Sequence, residues 1–290
     1  MDSTPGSTDE TNYAFIVGAP RSGTKLLRDT IGKLPQVETS THPLEEIWSL
    51  GQEDAETDQY DPRTLTPEIK KQIRENFKDQ HEACSWFIEK NVFHSLRIPY
   101  IREIFPRARF IHILRNPRDV AVSLRDYRQS PVDWKYYLSG GIFQLSAAEI
   151  VHYSGVFIAR MARRLFQGKQ QVTDMGPIFP GYYKLLQRDE PLEMAVSQWR
   201  YCVESIHESF RSLPKSDSIE IHYRTLIEDY ESELDRLGMF LKVASITPML
   251  RFAEKNYRTN RLDRWREDLE PDEIDTLNNL LTEKDCSRVI

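Results

Sequence analysis

Three short apolar runs and one further strand-like segment are separated along the chain by segments in which apolar residues recur at helical spacing. The runs are Tyr13–Gly18, Ser85–Lys90 and Ala108–Pro117, and the fourth candidate strand is Ser218–Tyr223. Short apolar runs between turn signals are typical of strands that are buried on both faces. Because such strands alternate with helices, we predict an α/β fold with a parallel β-sheet flanked by helices on both faces.

Residues 128–190 interrupt this alternation, because they are rich in aromatic residues and turn signals. We expect them to form a mostly helical insertion within a single domain over residues 13–290. The polar, acidic segment 1–12 is typical of a disordered tail. A long amphipathic helix is predicted from Pro191, and further helices are expected to close the domain.

The composition excludes several classes of protein. The net charge of -6 argues against non-specific nucleic-acid binding, and the longest apolar runs are too short to span a membrane. The three cysteines, Cys84, Cys202 and Cys286, lie far apart and show no metal-binding spacing, so we expect reduced thiols. The sequence thus predicts a soluble cytoplasmic protein with no nucleic-acid partner, no transmembrane segment and no metal site.

The segment Gly18–Lys25, GAPRSGTK, resembles a nucleotide-binding P-loop but differs from it at two positions. Gly18 and Gly23 have the spacing of the pattern G-x-x-x-x-G-K-[ST]. However, Thr24 stands where that pattern has lysine, and Lys25 stands where it has a hydroxyl residue. A glycine turn between a strand and a helix directs backbone N–H groups and the helix dipole at an anion.

Two cations and two hydroxyls strengthen this anion-site prediction: Arg21, Lys25, Ser22 and Thr24. A Mg²⁺-dependent site would also need a carboxylate at the end of a neighbouring strand. The third run ends instead in Arg115. Glu89 does end the second run, but Lys90 follows it, and a Glu89–Lys90 salt bridge is an open alternative. We therefore expect a phosphate- or sulfate-binding site that needs no metal.

Two separated motifs resemble those of sulfotransferases that use 3'-phosphoadenosine 5'-phosphosulfate (PAPS). Residues 20–24 match the 5'-phosphosulfate loop of that family, namely Pro20, Arg21, Ser22, Gly23 and Thr24. Lys25 departs from the family pattern. In FIHILRNPRDVAVSL, Arg115 and Ser123 stand at the 3'-phosphate-binding positions, and Asp119 is expected to cap or brace the turn. The resemblance extends weakly over residues 13–285 and implies a P-loop NTPase-like sulfotransferase fold.

The resemblance also implies roles for several cations. Arg21 would neutralise charge on the leaving phosphate, and Lys90 would contact the bridging or sulfuryl oxygens. Arg261 and Arg264 would reach the 3'-phosphate, although a solvated basic face explains them almost equally well. Trp265 is expected to pack under their loop.

An acceptor hydroxyl must lose its proton, so the reaction needs a general base. Some relatives carry a histidine two residues after the lysine, but that position is Val92 here. Glu46 is the preferred candidate, with Glu45 and His42 as alternatives. As an alternative, these acids would simply favour the start of a helix at Pro43. His94 is interpreted as structural.

The resemblance therefore implies transfer of a sulfuryl group from PAPS to a hydroxyl or amine, with release of 3',5'-adenosine bisphosphate (PAP). The acceptor would be a small molecule, a carbohydrate or a lipid headgroup, bound by the aromatic-rich residues 128–190. Two alternatives stay open: an ATP-dependent P-loop kinase with a variant loop, and a catalytically silent nucleotide-binding protein.

Overall fold

The computed structural model describes residues 11–40, 44–52, 54–129, 176–188 and 190–288. The chain divides into one compact unit of residues 1–123 and 176–290 and a second unit of residues 124–175. Nearly all the described residues belong to the first unit. The expected tail and most of the expected insertion lie outside the described residues, although the first strand already begins at Asn12, the last residue assigned to the tail.

The sheet consists of parallel strands in the order β2-β3-β1-β4-β5. This arrangement confirms the predicted parallel sheet flanked by helices. The strands are Asn12–Val17 (β1), Val37–Thr39 (β2), Trp86–Lys90 (β3), Arg109–Leu114 (β4) and Ser218–His222 (β5). β2 was not predicted, because three residues with only Val37 buried give no apolar run.

Helices connect the strands and cover the sheet. Most of them begin or end at the prolines, glycines and polar caps expected from the sequence; Thr66, for example, caps the third helix with Pro67 in its first turn. The α-helices are Thr24–Ile31 (α1), Glu45–Trp48 (α2), Pro67–Lys78 (α3), Ile98–Ile104 (α4), Pro117–Gln129 (α5), Tyr182–Arg188 (α6), Pro191–Ser212 (α7), Tyr223–Glu228 (α8), Tyr230–Leu241 (α9), Thr247–Asn256 (α10), Trp265–Asp268 (α11), Pro271–Leu280 (α12) and Glu283–Ser287 (α13). Short 3₁₀ turns span Pro62–Thr64, Val92–Leu96 and Thr259–Arg261.

Alternate residues of β1 face opposite sides of the sheet, and both sides are buried. Ala14 and Ile16 belong to one apolar cluster with Leu27 of α1. Phe15 belongs to the other, with Trp48 of α2. Each large apolar side chain buried in this way stabilises the fold by roughly 1.5–3 kcal/mol. This two-sided burial explains why the strand reads as an unbroken apolar run rather than an alternating one.

The sequence LIEDYESELDRLGMFL, residues 226–241, favours one closing helix, but the structure divides it between two helices. These are α8 and α9, and the chain leaves helical geometry between them at Asp229. The Asp229 side chain accepts a hydrogen bond from Ser232 N and so caps α9. Among the described residues, no helix is long and apolar enough to cross a membrane.

Candidate active site

The carboxyl ends of the parallel strands bring the predicted site residues to one edge of the sheet. The glycine loop follows β1, Lys90 ends β3, Arg115 follows β4 and Tyr223 follows β5. Ligands of open α/β sheets bind at this edge, where neighbouring strands are followed by loops that run to opposite sides of the sheet. The topology therefore explains how residues more than two hundred positions apart along the chain form one site.

Close packing on two sides requires glycine at both ends of the loop between β1 and α1. A Cβ on Gly18 would lie 2.7 Å from the Ile113 carbonyl oxygen. Gly23 has a φ of +98°, and a Cβ there would lie 2.6 Å from the ring of Tyr223. Ser95 Oγ fixes the start of the loop, because it accepts a hydrogen bond from Gly18 N and donates one to Gly18 O. The loop thus has one conformation that only glycine permits at these points.

The loop places its polar groups as an anion site requires. The first N–H groups of α1 have no intrahelical partners, and Gly23 at the N-cap has no side chain that could accept hydrogen bonds from them. Ser22 Oγ is buried and has no hydrogen-bond partner among the described residues. Arg21 adopts a φ of 69°, a strained conformation for a residue other than glycine. Thr24 is buried and Lys25 is exposed.

The two motifs that are distant in sequence are in direct contact. Arg21 Nε donates to Ser123 Oγ at 3.0 Å, and Arg115 Nη1 donates to the Arg21 carbonyl oxygen at 3.1 Å. Arg115 is held by two further contacts, since Nη2 donates to the Arg261 carbonyl oxygen and the guanidinium lies 4.4 Å from the Tyr223 ring centre. The structure therefore brings Arg21, Ser123 and Arg115 together at one place.

Asp119 braces this arrangement. Its carboxylate accepts hydrogen bonds from the backbone N–H groups of Asp263 and Trp265, and it lies 3.9 Å from Arg115 Nε. Arg115 Nε has no hydrogen-bond partner among the described residues. Burial lowers the pKa of Arg115, while Tyr223 and Asp119 oppose that shift. Asp119 thus joins the start of α5 to the loop over residues 259–265.

The loop arginines are placed differently from one another. Arg261 is exposed, and its backbone carbonyl rather than its guanidinium contacts Arg115. Arg264 forms an ion pair with Asp268, and its positive charge is among the influences that lower the pKa of Arg115. The guanidinium of Arg266 lies 4.4 Å from the ring centre of Trp265.

Pro20, in the glycine loop, is buried and packs against Gly176. A Cβ on Gly176 would lie 2.4 Å from Pro20 Cγ.

Lys90 lies in a strongly positive environment at the end of β3. Burial, reinforced by the charges of Arg28, Lys25 and Arg21, lowers the pKa of Lys90 to about 8. The alternative Glu89–Lys90 salt bridge is not formed, because neighbouring residues of a strand point to opposite faces. The cations therefore repel one another unless an anion lies between them.

Glu89 instead organises the segment that carries the candidate bases. Its fully buried carboxylate accepts hydrogen bonds from Trp48 Nε1 at 2.9 Å and Leu44 N at 3.3 Å, and it contacts His94 Nε2 at 2.9 Å. His94 is fully buried in this network. A carboxylate with both oxygens engaged in the core is not placed to bind Mg²⁺ beside a nucleotide.

The two candidate glutamates differ in their contacts. Glu45 accepts hydrogen bonds from Arg97 Nη1 at 3.0 Å and from Asn91 Nδ2 at 2.5 Å. Arg97 is fully buried and also binds Asp58. Glu46 is half-buried and makes no side-chain hydrogen bond or ion pair with any residue that the structure describes. His42 lies outside the described residues.

Sequence reasoning missed three residues that shape the site: Ser95, Tyr223 and Arg97. Tyr223 ends the predicted fourth strand, so its position at the carboxyl edge of the sheet was an available signal. Ser95 and Arg97 follow β3 in a 3₁₀ turn and the start of α4, where no motif marks them. Their importance depends on contacts with Gly18 and Glu45, which only the fold brings near.

The chain belongs to the sulfotransferase family. A family model described as "Sulfotransferase family" matches residues 14–175, more than half of the chain. The match includes the glycine loop, Lys90, Arg115 and Ser123. No curated protein sequence matches the chain.

Solved structures of sulfotransferases share the fold over nearly the whole chain. The sulfotransferase domain from the curacin biosynthetic pathway has a TM-score of 0.53 and 14% identity, covering 97% of this chain and 96% of that one. A sulfotransferase from Alicyclobacillus acidocaldarius has a TM-score of 0.52 and 15% identity, covering 97% of this chain and 94% of that one. A mouse sulfotransferase in complex with PAP has a TM-score of 0.50 and 15% identity, covering 96% of this chain and 87% of that one. These likenesses confirm the predicted P-loop-like α/β fold.

Proposed function

We propose that the protein transfers a sulfuryl group from PAPS to a hydroxyl or amine and releases PAP. The contact of Arg21 with Ser123, together with that of Arg115 with the Arg21 carbonyl, carries this proposal. A donor with a phosphosulfate at one end and a 3'-phosphate at the other needs two anion-binding groups held side by side. ATP has no 3'-phosphate and would leave the second group without a ligand.

The residues present fit such a donor. Ser22 Oγ is buried without a partner, and Arg115 Nε is buried without a hydrogen bond among the described residues. An unsatisfied buried polar group costs about 1–3 kcal/mol, so a ligand that satisfies it is bound more tightly. Gly18 and Gly23 leave no room for a side chain, which keeps the loop backbone open to an anion.

Each site residue then takes a role in binding or in charge stabilisation. Bound PAPS supplies a sulfuryl group attached to a phosphate leaving group, and transfer of this kind depends mainly on positioning and electrostatics. Arg21 and Lys90 stabilise the negative charge that develops on the transferred group and the leaving phosphate. The other donor-binding residues are Pro20, Ser22, Gly23, Thr24 and Lys25 at the 5' end, and Arg115 and Ser123, with Arg261 and Arg264, at the 3' end.

Glu46 is the general base in this proposal. Glu45 is committed to Arg97 and Asn91, whereas the Glu46 carboxylate has no side-chain partner among the described residues. Glu45 therefore holds the first turn of α2 in place. Glu46, in the same turn, has no such contact within the described part of the chain and takes the proton from the hydroxyl or amine of the acceptor. No metal has a role in this scheme, because arginine and lysine supply the positive charge.

The acceptor is proposed to be a small molecule, a carbohydrate or a lipid headgroup. Its pocket would involve residues 128–190, most of which lie outside the described residues. A screen with isotopically labelled PAPS against phenols, sugars and lipid headgroups would identify the class. Transfer of label to no acceptor, with PAP still bound, would favour the silent nucleotide-binding protein.

Calorimetry tests the donor assignment directly. The full-length protein should bind PAP without added metal and should bind ATP with Mg²⁺ far more weakly. Adenosine 5'-phosphate, which lacks the 3'-phosphate, is the matched control and should lose the contribution of Arg115 and Ser123. Tight binding of ATP with Mg²⁺ and none of PAP would overturn the proposal in favour of a kinase.

A further inference from the structure

Four ionisable side chains meet at the outer edge of the sheet, on the face that α7 covers. His112 lies on β4, Glu220 and His222 lie on β5, and His207 lies on α7. β5 is the last strand of the sheet, and His112 and Glu220 are direct partners in its register with β4. His112 is fully buried, whereas the other three side chains are partly exposed. Solvent therefore reaches this cluster from the open edge.

The imidazoles converge on a single carboxylate. Glu220 Oε2 lies 2.8 Å from His112 Nδ1 and 2.7 Å from His207 Nε2. His222 Nε2 lies 3.3 Å from the other oxygen, Oε1. One ligand atom from each of His112, His207 and Glu220 falls within 4.8 Å of the others. Two imidazole nitrogens and a carboxylate oxygen thus lie close enough to one another to be ligands of one ion.

This set of donors is one that zinc and its neighbours in the transition series prefer. Around a tetrahedral ion with bonds of about 2.0 Å, ligand atoms lie about 3.3 Å apart. The two short distances to Oε2 would lengthen by roughly half an ångström when an ion enters. Glu220 and His207 are partly exposed, so small side-chain rotations can supply that change.

We propose that His112, His207 and Glu220 bind a divalent transition-metal ion of the zinc class, with His222 orienting Glu220 through its second oxygen. A partner that holds the far side of a ligand is a recurrent feature of metal sites. The ion would cross-link β4, β5 and α7 and would support the edge strand. None of these four residues has a role in the proposed sulfuryl transfer, so the two proposals succeed or fail independently.

A divalent ion would take the place of the protons in these hydrogen bonds. His112 Nδ1 and His207 Nε2, which hydrogen-bond to Glu220 Oε2, are the atoms that would bind the ion, and metal binding releases protons from its ligands. Arg236 donates to the Glu220 carbonyl oxygen and also binds Glu233, so its charge has a carboxylate partner.

Spacing in the sequence gives no hint of this cluster. His112 and Glu220 are 108 positions apart, and His207 and Glu220 are 13 apart on different elements. Metal motifs that can be read from sequence place their ligands a few residues apart on one turn or loop. The expectation of no metal site rested on such spacing, so it could not detect ligands that come together only when the sheet forms.

Zinc binding to the chelator-treated full-length protein tests the proposal, using a chromophoric chelator as competitor. The wild type should bind one ion per chain, and its melting temperature should rise with zinc and fall back with a chelator. His222→Ala should weaken binding by roughly 10–100-fold, as expected for loss of an orienting partner. His207→Ala should weaken it more, and the visible spectrum of bound Co²⁺ should change in parallel.

His81→Ala is the matched control, since it removes an imidazole whose ring contacts Tyr13 and Phe87 rather than the cluster, and it should leave zinc affinity unchanged. His112 is left intact because its burial makes any substitution a folding risk. A wild type that binds no zinc would overturn the proposal and leave a hydrogen-bonded His–Glu–His cluster. Wild-type binding that His207→Ala and Glu220→Gln both leave unaltered would overturn it equally, because the ion would then lie elsewhere.

Discussion

Arg21 and Ser123 are hydrogen-bonded at 3.0 Å although 102 positions separate them along the chain. Arg21 belongs to the loop after β1, and Ser123 lies on the helix after β4. β1 and β4 are adjacent parallel strands, so the segments that leave their carboxyl ends meet at the same edge. The contact makes the two anion-binding motifs parts of a single site.

Replacement of Ser123 tests this link. Ser123→Ala removes the hydroxyl that is proposed to bind the 3'-phosphate, and hydrogen bonds to charged groups contribute about 1.5–3 kcal/mol. We therefore expect PAP affinity to fall about tenfold or more by calorimetry. Ser287→Ala, on an exposed helix near the carboxyl terminus, is the control and should bind PAP normally. Equal affinity of Ser123→Ala and wild type would remove Ser123 from the site.

The glycine loop allows a second test with a matched pair. Gly23 and Gly181 both have positive φ, of +98° and +87°, but a Cβ on Gly181 meets nothing within 4 Å, whereas one on Gly23 meets the Tyr223 ring. Gly181→Ala should cost only backbone strain, about 1 kcal/mol. Gly23→Ala should lower the free energy of unfolding by about 2 kcal/mol or more and abolish PAP binding. Chemical denaturation measures both, and similar losses for the two variants would contradict the steric argument.

Most of the fold was predictable because β1, β3 and β4 are largely buried on both faces and so give apolar runs. β2 was not predicted, because an edge strand of three residues carries no such pattern. At the site, motif residues such as Arg21 and Arg115 could be found, since a loop between a strand and a helix has a local signature. Arg97 and Tyr223 could not be assigned roles, because those roles consist of contacts with Glu45, Gly23 and Arg115 that exist only after folding.

The lowered pKa of Lys90 predicts a pH dependence. An ordinary lysine keeps its charge up to about pH 10.4, whereas Lys90 has a pKa of about 8, chiefly through burial. Because its pKa is depressed, the charge is present below pH 8 and is lost as the pH rises through that value. We expect kcat/KM, which reports the free enzyme, to fall above about pH 8.

Lys90→Arg is the control for that pH profile, since a guanidinium stays protonated throughout the range. In this variant kcat/KM should no longer fall above about pH 8, even if its value is lower than that of the wild type at every pH. A fall that persists unchanged in Lys90→Arg would assign the titration to a different group.

Glu46→Gln should separate chemistry from binding. General bases contribute about 10²–10⁴-fold to rate, so kcat should fall within that range while PAP affinity stays unchanged. Single-turnover assays with labelled PAPS and an identified acceptor measure the rate, and calorimetry measures the affinity. Full activity in Glu46→Gln would exclude this residue as the base.

Glu45→Gln should act on stability rather than on proton transfer. The substitution leaves the buried Arg97 with Asp58 as its remaining carboxylate partner, and an incompletely paired buried charge is costly. Because the Glu45 side chain is about one-third exposed, we expect a loss of about 1–3 kcal/mol in the free energy of unfolding. Chemical denaturation should show this loss in Glu45→Gln and not in Glu46→Gln, since Glu46 has no ion-pair partner among the described residues. The opposite outcome, with Glu45→Gln stable but inactive, would transfer the role of general base from Glu46 to Glu45.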